Sequence, residues 1–119
     1  MRFVKTAEEI RQIQAINARP QFLGTRILTV LFETTPEAIK ALLPPPLEPT
    51  PEPLASAWVG EIRNSNCVGP FLGAAVYVRA RYKEIVGNYC VTMPMSTPEA
   101  VTFGRVLYGE PKKLAKVVF

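Results

Sequence analysis

Six of the ten residues from 44 to 53 (PPPLEPTPEP) are proline. Proline has no amide hydrogen to donate and a fixed φ, so this stretch can be neither a helix interior nor a central strand. It divides the 119-residue chain into a short leading part and a longer β-rich part. A chain of this length makes one domain or a piece of one. The tract reads as a stiff extended connector; its sharper reading is a polyproline ligand for a proline-recognition module.

Ahead of the tract, Thr6-Ala7-Glu8-Glu9 has the pattern of a capping box, in which the threonine oxygen and the glutamate satisfy each other's exposed amides. Ile10, Ile13 and Ile16 then fall on one side, so residues 6–17 are expected to form a short amphipathic helix. Residues 26–33 (RILTVLFE) read as a strand. Thr35-Pro36-Glu37-Ala38 supplies a cap, a proline at the first helical position and an acid in the first turn. That second helix ends by Leu43.

Behind the tract, residues 54–62 read as a strand, and Asn64-Ser65-Asn66 as a turn. Residues 71–82 alternate one more polar and one more apolar series, the mark of a strand with unlike faces. Residues 84–93 follow as its neighbour, with a bulge or bend expected at Gly87-Asn88. Ser96-Thr97-Pro98-Glu99-Ala100 repeats the earlier helix start, and Gly109 is the expected C-cap. Residues 112–119 (KKLAKVVF) read as a last strand. The fold class is α+β: a mostly antiparallel sheet of about five strands, since the middle connections are too short for crossovers, with three short helices.

The net charge is +4 and there is no histidine. The basic residues are scattered, so no nucleic-acid partner is expected. Cys67 and Cys90 are the two cysteines; without histidine they make no zinc site, no metal or other cofactor is expected, and they read as buried thiols. No apolar run reaches the ~18 residues of a membrane span, and the N-terminus lacks the long apolar stretch of a secretory signal. A cytoplasmic protein with no membrane partner is the expectation. Any chemistry must run on Lys, Glu, Tyr, Cys or Arg.

Lys112 and Lys113 follow a helix stop and a proline, at the start of an apolar strand. Adjacent lysines are most often a solvated surface pair. In a strand, though, neighbours point to opposite faces, so one of the two should approach the interior, and the turn before it could let both reach one pocket. Burial and a nearby second cation both favour the neutral amine, which attacks carbonyls to form a Schiff base.

Residues 104–115 (GRVLYGEPKKLA) resemble the signature of the acetoacetate decarboxylase family, roughly G-R-E-x-x-x-x-P-K-K-L. Leu43-Pro44-Pro45-Pro46-Leu47-Glu48 is similar to a family segment of the form V-P-x-P-L-E, so the resemblance spans residues 20–119. It implies Lys112 as the imine-forming nucleophile and Lys113 as its electrostatic perturber. Arg26 would bind a substrate carboxylate, a task that suits a guanidinium fork. The family's two central-strand glutamates align with Trp58 and Gly73, and Val106 replaces the glutamate of the signature. Glu61, Tyr89 and Glu110 are the residues left to act as acid or base.

The resemblance thus implies a Schiff-base lyase, or lyase subunit, acting on a small keto acid, decarboxylase-like or of aldolase-dehydratase type. The alternatives are a non-catalytic carboxylate-binding module and a structural subunit that pairs with a second chain. Family members run to about twice this length, so residues 1–119 are expected to form a single domain that is only the N-terminal half of the family fold. A homo-oligomer, or a complex with a chain supplying the other half, is the expected state; an apolar last strand with an unpaired edge points the same way.

Overall fold

The computed structural model describes residues 2–119. Helix α1 (Ala7–Ala18) begins at Thr6 with both halves of the capping box formed. Strands β1 (Phe22–Leu23) and β2 (Arg26–Glu33) follow. Helix α2 (Pro36–Leu42) starts from Thr35, whose hydroxyl accepts from the Ala38 amide. Strands β3 (Leu54–Ile62), β4 (Asn64–Ser65), β5 (Phe71–Tyr82) and β6 (Ile85–Met95) come next. Helix α3 (Pro98–Tyr108) and strand β7 (Lys112–Leu114) complete the order.

The main sheet runs β2-β3-β5-β6-β7. Its first three pairings are antiparallel, and β7 joins β6 in parallel after crossing over through α3. The α+β class, the mostly antiparallel sheet of five strands and the three helices stand as read from the sequence. The β5–β6 hairpin turns on Lys83 and Glu84, with Lys83 held at φ 52°.

Three local expectations are corrected. Asn64 and Ser65 are not in a turn; they pair with Leu23 and Phe22 as a two-stranded ribbon. Gly87 and Asn88 pair regularly with Ala80 and Arg79. The irregularity comes earlier on the ladder: Val76 pairs with Thr92 but Tyr77 with Cys90, leaving Val91 as the extra residue of a bulge. The last strand stops at Leu114, because beyond it only Ala115 bonds back to β6, through Met95.

The proline tract is docked rather than free. Glu48 and Arg81 exchange both backbone hydrogen bonds, at 2.9 and 2.8 Å, so the tract continues the ladder on β5 beyond the start of β3. An ion pair of 2.9 Å between the same residues repeats the contact at side-chain level.

The strand registers place two cores on opposite faces. Under α2, the buried residues are Ile39, Leu43, Ala55, Val78 and Ala80. Under α3, they are Ala75, Met93, Met95 and Ala100, with Trp58 and Tyr77 packed against them. By contrast α1 buries none of its residues and β2 is exposed along its whole length. The radius of gyration of 17.1 Å exceeds the roughly 13.5 Å of a compact domain this long, as these two uncovered elements require.

Candidate functional site

The face under α3 holds a cavity of about 420 Å³. Register builds its floor. Trp58 lies opposite Ala75, Ile62 opposite Phe71 and Ile27 opposite Gly60, so alternate residues of β2, β3 and β5 all look the same way. The bulge in β6 adds Cys90 to this face while keeping Met93 on it, across from Lys112. Phe103 and Tyr108 of α3 form the opposite wall, their rings 5.7 Å apart and tilted. The short ribbon closes one side, where Phe22 meets Phe71 edge-on at 6.1 Å.

The reactive end comes from one stretch of chain. Helix α3 stops because Gly109 adopts φ 65°, a left-handed conformation that costs glycine least. The Lys112 amide then donates to the Glu110 carbonyl at 2.8 Å, closing a three-residue turn around Pro111. Proline's fixed φ matches the inverse γ-turn this requires. The turn folds the Glu110 carboxylate back onto Lys112, with Oε2 at 2.9 Å from Nζ. Lys112 is only 12 % exposed in its side chain and Glu110 34 %. Gly104 makes the fit: a Cβ there would collide with Glu110 Oε2 and the Lys112 stem. The signature's glycine is therefore a space for the lysine to lie in.

Two further polar groups reach this face. Burial pushes the Tyr77 phenol up, and the nearby Cys90 and Glu110 charges add to that against the contact with the Trp58 indole. Burial likewise pushes the Cys90 thiol up, with Glu110 adding to it against the Tyr77 contact. Both groups are therefore neutral hydrogen-bonding partners around neutral pH. From the sequence Cys90 read only as a buried thiol, and it is half-buried; Tyr77 was not singled out, although the alternation Phe71, Gly73, Ala75, Tyr77 places it on the same side as its pocket-lining neighbours.

Of the sequence candidates, Lys112 and Glu110 are brought together in the cavity. Lys113 is turned the other way and lines a separate depression with Arg105, which also borders Glu110. The expectation that one lysine approaches the interior holds for Lys112; the two do not share one pocket. Arg26 and Glu61 face each other across β2 and β3 on the opposite face of the sheet. There Arg26 donates twice to Glu61 Oε2, at 3.0 and 2.8 Å, and Arg63 donates to the same oxygen at 3.2 Å. Those hydrogen bonds hold the Glu61 carboxyl below its usual range. The Arg26 guanidinium also stands 5.4 Å over the Phe119 ring. Tyr89 packs against the α2 core, away from the cavity.

Trp58 and Gly73, where the family resemblance expects carboxylates, sit side by side on the floor. A Cβ on Gly73 would meet Met95 Sδ at 2.9 Å and Trp58 Cη2 at 3.2 Å. The indole and the thioether fill that ground. Among the described residues no group of three or more cysteines and acids is gathered as a metal would need, and no helix is long and apolar enough to cross a membrane.

An α+β sheet with a recessed lysine at the end of a crossover helix is the architecture of a known family. The model of the acetoacetate decarboxylase family matches residues 8–119, and the chain belongs to that family. The acetoacetate decarboxylase of Paraburkholderia phytofirmans is 30 % identical over 98 residues, covering 82 % of this chain and 38 % of the relative. Acetoacetate decarboxylase 3 of Mesorhizobium japonicum is 30 % identical over 95 residues, covering 80 % and 37 %. Among solved structures, acetoacetate decarboxylase from Legionella pneumophila superposes with a TM-score of 0.72 at 27 % identity, over 82 % of this chain and 38 % of that one. The enduracididine biosynthesis enzyme MppR, complexed with the condensation product of pyruvate and imidazole 4-carboxaldehyde, shares the fold at a TM-score of 0.66 and 18 % identity, over 76 % and 38 %. The chain thus spans about 38 % of the length of the curated relatives it matches first.

Proposed function

We propose that this chain forms an imine between Lys112 and a keto acid and acts as a lyase of the decarboxylase type. The observation that carries the reading is the recessed Lys112 amine, 2.9 Å from the Glu110 carboxylate at the end of an apolar cavity. Glu110 takes a proton from the ammonium, and the neutral amine adds to the ketone carbon. The carbinolamine loses water, giving a protonated imine. The bond to the carboxylate carbon then breaks. Its electron pair moves to the imine nitrogen, CO₂ leaves, and an enamine remains. That enamine takes a proton on carbon, and water hydrolyses the imine, releasing the ketone and the Lys112 amine. The Tyr77 phenol is the second proton donor within the cavity, and Lys113 and Arg105 act on Glu110 from its outer side.

The test is chemical trapping. Borohydride added with a keto acid is expected to leave one reduced adduct on Lys112, and Lys112→Gln to abolish it. Labelling spread over surface lysines would end the enzymatic reading.

A second reading has an observation of its own. Trp58 and Gly73 occupy the floor where the family resemblance expects carboxylates, which favours a module that binds a small ligand without turning it over. Ligand binding without trapping would support it.

The proposal extends to the assembly. The uncovered β2 carries Leu28, Val30 and Leu31, exposed at 60 %, 51 % and 72 %. An edge like this is normally paired or covered. The part of the family fold that this chain does not span is the natural cover, and sedimentation of the purified protein would show whether a second chain accompanies it.

A further inference from the structure

We propose that the Lys112 cavity takes a β-keto acid whose acyl end carries a bulky apolar group, an aryl ring above all, in preference to a four-carbon keto acid. This rests on the imine reading of Lys112 and adds the substrate class.

The size of the cavity is the first argument. Its 420 Å³ lies within the roughly 300–1,000 Å³ typical of sites for drug-sized ligands. A four-carbon acid would leave most of it filled with water against apolar walls. The composition of those walls is the second. Trp58, Phe71 and Met95 on the sheet face Phe103 and Tyr108 on α3, so the space between is a slot with aromatic sides. Offset and edge-on ring contacts are favoured there. The Met95 thioether, held against Trp58 by the absence of a side chain at Gly73, gives that wall some adaptability.

The polar groups are the third argument. Lys112 is paired with Glu110, and Tyr77 lies close enough to feel the Glu110 charge, so these three meet where a carbonyl would reach the amine; the Thr25 and Tyr108 hydroxyls are the other polar groups of the lining. Among the described residues lining the cavity, Lys112 is the one cation. Arg26, the guanidinium expected to hold a carboxylate, is engaged with Glu61 on the other face. Once Lys112 is a protonated imine, that iminium is the one cation beside a bound carboxylate among the described lining residues, and departure of CO₂ removes both charges at once. The binding free energy then comes from the apolar substituent, which the walls are built to receive.

Trp58 is the single tryptophan of the chain and lines this cavity, so its fluorescence is a local probe of it. The full chain would be titrated with 3-oxo-3-phenylpropanoate and with acetoacetate, each followed by borohydride and intact-mass measurement. The phenyl compound is expected to quench Trp58 at a concentration at least about tenfold lower than acetoacetate, and to leave the adduct on Lys112. Equal or tighter binding of acetoacetate, with trapping intact, overturns the substrate class and leaves the imine standing. Quenching with no adduct from either compound overturns the imine reading itself, and no quenching by either overturns the occupancy of the slot. Ile27→Asp places a charge on a half-exposed residue of the cavity lining, and its urea midpoint is measured alongside. It is expected to erase the preference for the phenyl compound, and an unchanged preference would also overturn the proposal.

Discussion

Helices α2 and α3 open with the same four residues, Thr-Pro-Glu-Ala, and with the same cap: a threonine hydroxyl accepting from the alanine amide three residues on. They then do opposite things to the two faces of one sheet. In α2 the residue after the shared start is Ile39, fully buried, and it plugs a closed core between Leu43, Ala55 and Val78. In α3 the buried positions are Ala100 and Gly104. Small residues hold that helix against the sheet and leave room for Lys112 and the cavity beside it. The cap decides where a helix starts; the size of the next inward residue decides whether the face beneath becomes packing or a site.

The largest expected effect should break the α2 side alone. Ile39→Ala empties the closed core and is expected to cost about 2–5 kcal/mol of stability, read as a drop in the urea midpoint. Trapping at Lys112 by the molecules still folded should persist. Gly104→Ala is the mirror case. The added methyl collides with the flexible ends of Glu110 and Lys112, so stability should hardly fall, helped by up to ~1 kcal/mol of helix propensity. The displaced amine, however, is expected to form its adduct more slowly by ~10²-fold. A Gly104→Ala protein that traps as fast as the parent would show that the lysine's seat is not made by that glycine.

The caps sharpen the comparison at smaller scale. Thr35→Ala and Thr97→Ala should each cost about 1 kcal/mol, and only the second should also slow trapping. Smallest is the ion-paired corner on the α2 side of the sheet. Because Glu61 is held low by Arg26 and Arg63, its contribution is present above the ordinary carboxyl value and is lost as pH falls through the lower folded one. Arg26→Ala is therefore expected to differ from the parent in thermal midpoint near pH 7 and to converge with it on acidification below about 4.5. Trapping at Lys112 should be untouched.

Much of this was legible because it is local. The capping box at Thr6, both Thr-Pro-Glu-Ala starts, the Gly109 stop and the bounds of β2, β3 and β5 all follow from residues within a few positions of each other. The recessed lysine was legible through the signature and through strand alternation. What depended on pairing was not. The bulge that leaves Val91 unpaired is a property of two strands together, and it brings Cys90 beside Tyr77 on the cavity's face of the sheet. The Asn64–Ser65 ribbon needs its partners far upstream, Leu23 for Asn64 and Phe22 for Ser65, before it is a strand at all. Glu61, with its partner Arg26, lies on the other face for a simpler reason. Glu61 is odd-numbered on a strand whose pocket-facing residues, Trp58 and Ile62, are even, so alternation alone puts it outside.

The tight bend at Pro111 carries one more consequence. It sets the phase of β7, and with it which of two neighbouring amines is inside. Losing one residue from that bend would rotate the strand by half its repeat and present Lys113 to the cavity in place of Lys112. The chain thus keeps a replacement amine next door, one deletion away, and frameshift-free shortening of this loop is a route by which such a site could change hands without inventing a new lysine.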